Sequence, residues 1–348
     1  MTQSSADPSP LLNALETLFP VPCEYWSPDT SAAVAEQLLG CGTATLDELT
    51  AQGLPHRILD GETWYDQCDL FNLALYSGSG ATPPEMSFRF ALRWMSSPLD
   101  DLLVRRSWSF RADISCPQPD TCGGNAESTF AVPIPELYGG SIAVEPNEGA
   151  SPVVDSDGLL HSVTDDGALS LQASLRLGGD HAAILSPEIR EIYSAFLDNR
   201  PRWVKLPPEL HIEVDLLEAH GVATCVSASL YLERELRRAG LNVRTRRGWV
   251  LGMLDLVHAW VEVLDSDGTV RVIDPIFGLF SAMLPNANPL LSDPNMSIRS
   301  NRVLPTGRSA AQPIARHRCG GEESAPKTRL RIAPVPLPEA QSPNGVPI

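Results

Sequence analysis

The sequence is almost without lysine: only Lys205 and Lys327 stand beside 24 arginines, a bias that reads as the mark of a GC-rich genome rather than of chemistry. It has no Cys-x-x-Cys pair, so zinc-ribbon and thioredoxin-type sites lack their basic unit. The seven cysteines (Cys23, Cys41, Cys68, Cys116, Cys122, Cys225 and Cys319) are odd in number and scattered, unlike the framework of a disulfide-stapled secreted domain. No run approaches the roughly 18 apolar residues that a membrane span needs. No positive charge precedes Arg57, and no apolar stretch there resembles a signal-peptide core. A soluble, cytoplasmic protein is the expectation. Positive charge is also short overall: Lys plus Arg number 26 against 43 Asp plus Glu, a net charge of −17. Such a surface repels phosphate backbones and anionic lipid, so neither nucleic acid nor a membrane surface is expected as a partner.

What is present is a chain of 348 residues, 43% apolar and 20% charged, long enough for two domains and for a sizeable core. Residues 1–60 read as short N-terminal helices: Leu11, Leu12, Leu15 and Leu18 at helical spacing, then Ala32 to Leu39 stopped by Gly40, then Leu46 to Ala51 stopped by Gly53. Residues 61–183 read as a β-rich module. Met86 to Trp94, Trp108 to Ile114 and Leu169 to Leu177 each alternate apolar with polar, the period of a half-buried strand. Ser186-Pro187-Glu188 then opens a helix, with Ser suited to the N-cap, Pro to the first turn and Glu to the dipole. Residues 184–298 form the remaining folded region. From Arg299 to Ile348 there are eight prolines, and eight Lys/Arg against three Asp/Glu, which reads as a disordered, mildly basic tail.

Chemistry concentrates between Gly221 and Phe280. Gly221-Val222-Ala223-Thr224-Cys225 leads into a helix through Leu230, Leu232 and Leu236 that ends at Ala239-Gly240, so Cys225 sits at or near a helix start. Backbone N–H groups and the dipole there favour the thiolate, the form that attacks carbonyl carbon. Further on, Val257-His258-Ala259-Trp260-Val261-Glu262-Val263 alternates strictly, with His258, Trp260 and Glu262 on one face. Asp265-Ser266-Asp267-Gly268 is turn chemistry, and Thr269 to Asp274 is the return strand, closed by Pro275. A hairpin symmetric about Ser266, with an odd number of loop residues, sets His258 directly opposite Asp274, within reach of a carboxylate–imidazole hydrogen bond. An even loop puts them on opposite faces. Nucleophile, base and orienting carboxylate then form one set.

The run G-V-A-T-C-V-S-A-S, followed by L-R-R-A-G-L-N-V-R, H-A-W-V-E-V and I-D-P, resembles the catalytic core of the transglutaminase-like superfamily of bacterial type, over roughly Leu210 to Phe280. The resemblance implies an α+β fold with a papain-like cysteine-protease core. In it a helix bearing the cysteine packs on an antiparallel sheet bearing His and Asp, with the β-rich module appended. It implies Cys225 as nucleophile, His258 as general base and acid, and Asp274 as orienting carboxylate. The implied reaction is acyl transfer through an acyl-thioester enzyme intermediate. Amide-bond formation to an amine acceptor comes first, with natural-product biosynthesis as a context. Water as acceptor, hence a peptidase or amidase, is the alternative, and a catalytically silent binding module is another. The donor is a peptide, a protein glutamine or a carrier-bound thioester, and no cofactor or metal is expected. Trp203, Trp249 and Trp260 are weaker candidates for substrate contact, with Trp203 and the Cys225 N–H as oxyanion donors.

Other features have plainer readings. Glu262 shares the His258 face and reads as salt-bridged or at a cleft rim. Arg244, Arg246 and Arg247 read as a solvated strand face before an acidic-substrate site. Cys68 lacks a nearby His and reads as structural. Cys116 and Cys122 share a Pro-rich loop, but a cytoplasmic setting argues against their pairing. His56, His161, His181, His211, His220 and His317 have no partner legible in the sequence.

Overall fold

The structure, a computed structural model, describes residues 8–117, 128–135, 144–146, 153–155, 159–164, 168–251, 257–319 and 322–335. Cys122 and residues 336–348 of the expected tail lie outside them. The fold mixes helix and sheet. The chain divides into two compact units that interleave along the sequence rather than follow one another. The first comprises Met1–Ser96, Tyr193–Tyr231 and Pro275–Ser292; the second comprises Ser97–Ile192, Leu232–Asp274 and Asp293–Ile348.

Helices dominate the first unit. Ser9–Leu15, Ala32–Leu39 and Thr43–Ala51 carry the leucine stripes, and their buried faces meet the helix Gln67–Leu75 in one core built from Leu11, Leu39, Leu46, Leu49, Leu70 and Leu73. The short antiparallel sheet Thr30–Ser31, Glu62–Tyr65 and Arg57–Leu59 adds Tyr65 to that core. Asp66 caps Gln67–Leu75, accepting from the N–H of Cys68 at 2.7 Å.

One turn on, Asp69 is fully buried and accepts from Val21 N–H (2.8 Å) and Trp26 Nε1–H (3.1 Å). Burial pushes its carboxyl up to about 7, against the downward pull of the Val21 N–H. A raised carboxyl contributes stability that is complete below the unfolded value of about 3.9 and is lost as pH rises through the folded value. The difference in urea midpoint between wild type and Asp69→Asn is therefore expected to move against wild type between pH 4 and pH 7, then level off. A difference that is flat across that window refutes the assignment.

The segment Met86 to Trp94 is a correction. It is not a strand but the helix Pro83–Leu92 followed by a 3-10 turn, Arg93–Ser96. Thr82 and Glu85 form a complete capping box, and Pro83 and Pro84 occupy the first two helical positions. That local T-P-P-E signal overrides a chance alternation downstream.

Among the described residues of the second unit, nine strands form two antiparallel sheets. One runs in the order Lys327–Val335, Arg106–Ser115, Ala168–Leu177, Val144–Pro146. The other runs Glu322–Ser324, Arg316–Cys319, Ser128–Pro133, Leu159–Thr164, Val153–Val154. Trp108, Phe110, Ile114, Leu171 and Leu330 of the first share a core with Phe130, Val132 and Leu160 of the second. The β-rich region is thus narrower than residues 61–183, whose first third is helical, and it recruits the C-terminal segment. The reading of residues 299–348 as a disordered tail is corrected as far as residue 335. Lys327–Val335 pairs with Arg106–Ser115 over nine residues, from Lys327↔Ser115 to Val335↔Ser107. Its single proline, Pro334, and its charges suit an edge strand, where a missing N–H and outward charge cost little.

A third antiparallel sheet of the second unit runs Val270–Ile273, Val257–Leu264, Val243–Val250, Val303–Pro305. It carries the histidine.

Candidate active site

Cys225 belongs to the first unit. Gly221, at φ +63°, ends the helix Asp215–His220 in a left-handed turn that a side chain resists. The chain then enters Val222–Ala223, which pairs in parallel with Arg202–Trp203 in the register Trp203↔Ala223. Thr224 follows and caps the helix Cys225–Arg238. Its hydroxyl accepts from Ser227 N–H (3.1 Å), and the Ser227 hydroxyl accepts from Thr224 N–H (2.9 Å). This reciprocal box serves the third helical N–H. The N–H groups of Cys225 and Val226 precede the first acceptor the helix itself supplies. Cys225 is half-buried with a free thiol. Cys225 stands at the helix start, as its sequence context predicts; the Thr224–Ser227 box has a weak sequence signal, because Ser replaces the usual Glu or Gln at its second position.

The second unit brings His258 and Asp274 together. His258 Nε2 lies 2.6 Å from Asp274 Oδ2, and both residues are buried. A carboxylate only accepts, so Nε2 is the ring nitrogen that donates to Asp274, and Nδ1 is the one on the other side of the ring.

The route to this pair differs from the expected one. The observed register is Val261↔Ile273, Glu262↔Val272, Val263↔Arg271 and Leu264↔Val270. It is centred on Asp267 rather than Ser266, so Asp274 aligns with Trp260, and His258 reaches it diagonally, one pair away on the same face. Face parity holds while the register shifts by one pair. The turn explains the shift. Asp265 N–H donates to Thr269 O (2.9 Å) and Gly268 N–H to Asp265 O (2.9 Å), closing a loop of residues 265–269. Asp265 is fixed from outside the hairpin, accepting from Leu185 and Ser186 N–H at 2.8 Å each and pairing with Arg271 at 3.1 Å.

Trp260 is fully buried and stacks beside His258, with ring centroids 6.1 Å apart and planes 27° from parallel. It packs beside the imidazole. Directly opposite His258 stands Gly248. A Cβ there would meet Leu304 O at 2.1 Å and the Trp260 ring at 2.9 Å. Only glycine lets that carbonyl and that indole close over the strand, so Gly248 is part of what seats the Trp260–His258 stack. Its place before Trp249 was the available signal: a lone glycine inside a strand pattern marks close approach.

Trp249 is corrected from substrate contact to packing. It points to the opposite face, 3% exposed, and sits 5.6 Å from Phe110 in the core. Glu262 is salt-bridged as expected, to Arg244 Nη2 (2.7 Å) and Arg246 Nε (3.4 Å). Arg246 is itself buried, so the solvated-face reading holds for Arg244 but not for Arg246. Arg247 donates to Ala310 O (3.2 Å) and Gln312 O (2.6 Å), tying down the segment after Thr306. His161 does have a partner, Asp155 at 2.6 Å, in a part-exposed position.

The other thiols differ in character. Burial pushes Cys68 up to about 12, with the nearby Asp66 charge adding to it, and burial pushes Cys41 up to about 11. Both stay protonated at neutral pH. Among the described residues no group of three or more His, Cys, Asp or Glu side chains is placed to hold a metal ion, and no helix is long and apolar enough to cross a membrane.

No family model matches the chain and no curated protein matches it. Among solved structures it is similar to a candidate cysteine protease from Cytophaga hutchinsonii, with 12% identity over 68% of this chain and 92% of that one, at a TM-score of 0.43. It is also similar to the periplasmic domain of TgpA from Pseudomonas aeruginosa, with 14% identity over 54% of this chain and 91% of that one, at a TM-score of 0.27. Likeness at this level carries no inference about chemistry.

Proposed function

We propose that the chain is a transglutaminase-like cysteine acyltransferase in which Cys225 is the nucleophile, His258 the general base and acid, and Asp274 the carboxylate that orients the imidazole. The observation that carries this reading is the buried His258–Asp274 hydrogen bond of 2.6 Å, formed through Nε2. A structural His–Asp pair needs neither ring nitrogen in particular. A catalytic one needs a carboxylate that fixes the ring, and Asp274 is placed to do so. Cys225 at the first position of a capped helix adds the nucleophile.

His258 takes the Cys225 thiol proton; the resulting thiolate attacks the donor carbonyl, forming the S–C bond, and the tetrahedral oxyanion draws on backbone N–H donors of the first helical turn. As the C–X bond breaks, the imidazolium of His258 protonates the leaving group X, and an acyl thioester remains on Cys225. An amine then attacks that carbonyl and gives its proton to His258, and the S–C bond breaks to return the thiolate and release the amide. Water in place of the amine gives hydrolysis with the same groups. We place the amine first, with a peptide, a protein glutamine or a carrier-bound thioester as donor.

The test is intact-mass analysis after exposure to an activated thioester. A single acyl adduct on Cys225 is expected, discharged faster by added amine than by water. Adduct on Cys68 or Cys41 instead would refute the assignment, because those thiols are held protonated.

A further inference from the structure

In the first unit four aromatic rings touch in series. Phe71 meets Trp203 edge-on at 6.3 Å, Trp203 meets Phe280 at 5.6 Å, and Phe280 meets Phe88 at 4.7 Å. Phe280 is the buried floor, whereas Phe71, Trp203 and Phe88 are only half-buried and present ring surface to solvent. Edge-to-face contact is what aromatic cores ordinarily show. Three observations set this row apart from a core.

The first is its place. Trp203 is in register with Ala223, two residues before Cys225, and Val204 N–H donates to Ala223 O at 2.9 Å. Adjacent strands lie about 4.8 Å apart, so the ledge begins one strand away from the segment that delivers the nucleophile. The second is its rigidity. Asn72, buried on the helix Gln67–Leu75, donates to Lys205 O and accepts from Lys205 N–H, both at 2.8 Å. Tyr76 Oη donates to Trp203 O at 2.5 Å. Two side chains of one helix thus clamp the backbone on and beside Trp203, holding a part-exposed ring without help from a ligand. Preorganisation of this kind lowers the ordering cost of binding. The third is its limit. The Lys205 ammonium sits 5.3 Å over Phe71, so one end of the ledge closes on a charge. Lys205 Nζ also donates to Gln67 Oε1 at 3.0 Å, which holds that charge in place.

We propose that the ledge Phe71–Trp203–Phe280–Phe88 is the acyl-donor subsite and selects an aromatic acyl group. The proposal rests on Cys225 being the acylated residue. The experiment loads the full-length protein with N-acetylcysteamine thioesters of phenylacetic, octanoic and acetic acids and follows adduct formation on Cys225 by intact mass. Phenylacetyl is expected to load about tenfold faster than either other group, the scale set by one good aromatic contact. Trp203→Ala is expected to collapse the phenylacetyl-to-acetyl ratio towards one. Phe88→Leu, a milder change on a helix surface, lowers it several-fold. Equal loading of the three donors, or a ratio unmoved in both variants, overturns the ledge while leaving the nucleophile in place. If no donor loads Cys225, the acyl-enzyme reading fails instead. Calorimetric titration with phenylacetate then decides the ledge alone: binding weakened by Phe88→Leu sustains it, and binding absent or unchanged ends it.

Discussion

Replacing Cys225 by alanine is expected to abolish acyl-adduct formation outright, and His258→Ala to slow it by about 10²–10⁴-fold, the usual worth of a positioned proton-transfer group. The two substitutions are not expected to add, because in the proposed reaction thiolate and imidazole act as one unit. Asp274 makes the sharper test. Its Oδ2 accepts from His258 Nε2 at 2.6 Å, so it sets both ring orientation and tautomer. Asp274→Ala removes both functions. Asp274→Asn keeps an accepting Oδ1 and loses only the charge that steadies the imidazolium, as in cysteine enzymes that use Asn in this place. The expected order of acylation rates is therefore wild type, Asn, Ala, with the Ala variant falling towards the His258→Ala level. Equal rates for wild type and Asp274→Ala would reduce the pair to a structural contact. Cys225→Ala with undiminished adduct would remove the nucleophile altogether.

The second large effect lies at the turn rather than at the reacting atoms. Asp265→Ala is expected to destabilise the second unit by about 3–5 kcal/mol, the cost of breaking a buried ion pair and stranding its partners. Three N–H groups, of Leu185, Ser186 and Ser266, lose their acceptor, and buried Arg271 loses its contact at 3.1 Å. Burial by itself would raise the Asp265 carboxyl, but the N–H donors of Leu185, Ser186 and Ser266 outweigh it and hold the group well below the usual carboxylate range. A depressed carboxyl contributes stability above the unfolded value of about 3.9 and loses it as pH falls further. Wild type should therefore lose urea resistance below about pH 4, and the gap to Asp265→Ala should narrow there. A gap of constant size at pH 7 and pH 3 would contradict the assignment. Because Asp265 also closes the loop of residues 265–269, the variant should disturb the His258–Asp274 register, and acylation should slow even where the fold survives.

Much of the site was legible before any coordinates. Cys225 at a helix start follows from Gly221, Thr224 and the leucines beyond, all within one stretch of chain. The shared face of His258, Trp260 and Asp274 follows from strict alternation and an odd loop, since side chains in strands change face at every residue. The helix starting at Pro187 and the strands Arg106–Ser115 and Ala168–Leu177 were equally local.

Sequence by itself therefore determined the chemistry-bearing residue types, their faces and the mixed helix-and-sheet character, because these depend on period and capping within a few residues. Tertiary structure decided the rest. It centred the hairpin on Asp267, because the carboxylate of Asp265 is engaged by Leu185 and Ser186, some 80 residues away along the chain. It turned Trp249 into core and left Gly248 as the gap under Trp260, because the Leu304 carbonyl arrives from another strand. It made a sheet edge of Lys327–Val335, whose partner Arg106–Ser115 lies more than two hundred residues earlier. No local pattern encodes such a partner. A strand's alternation states which side will be buried, and only the remainder of the chain supplies what buries it.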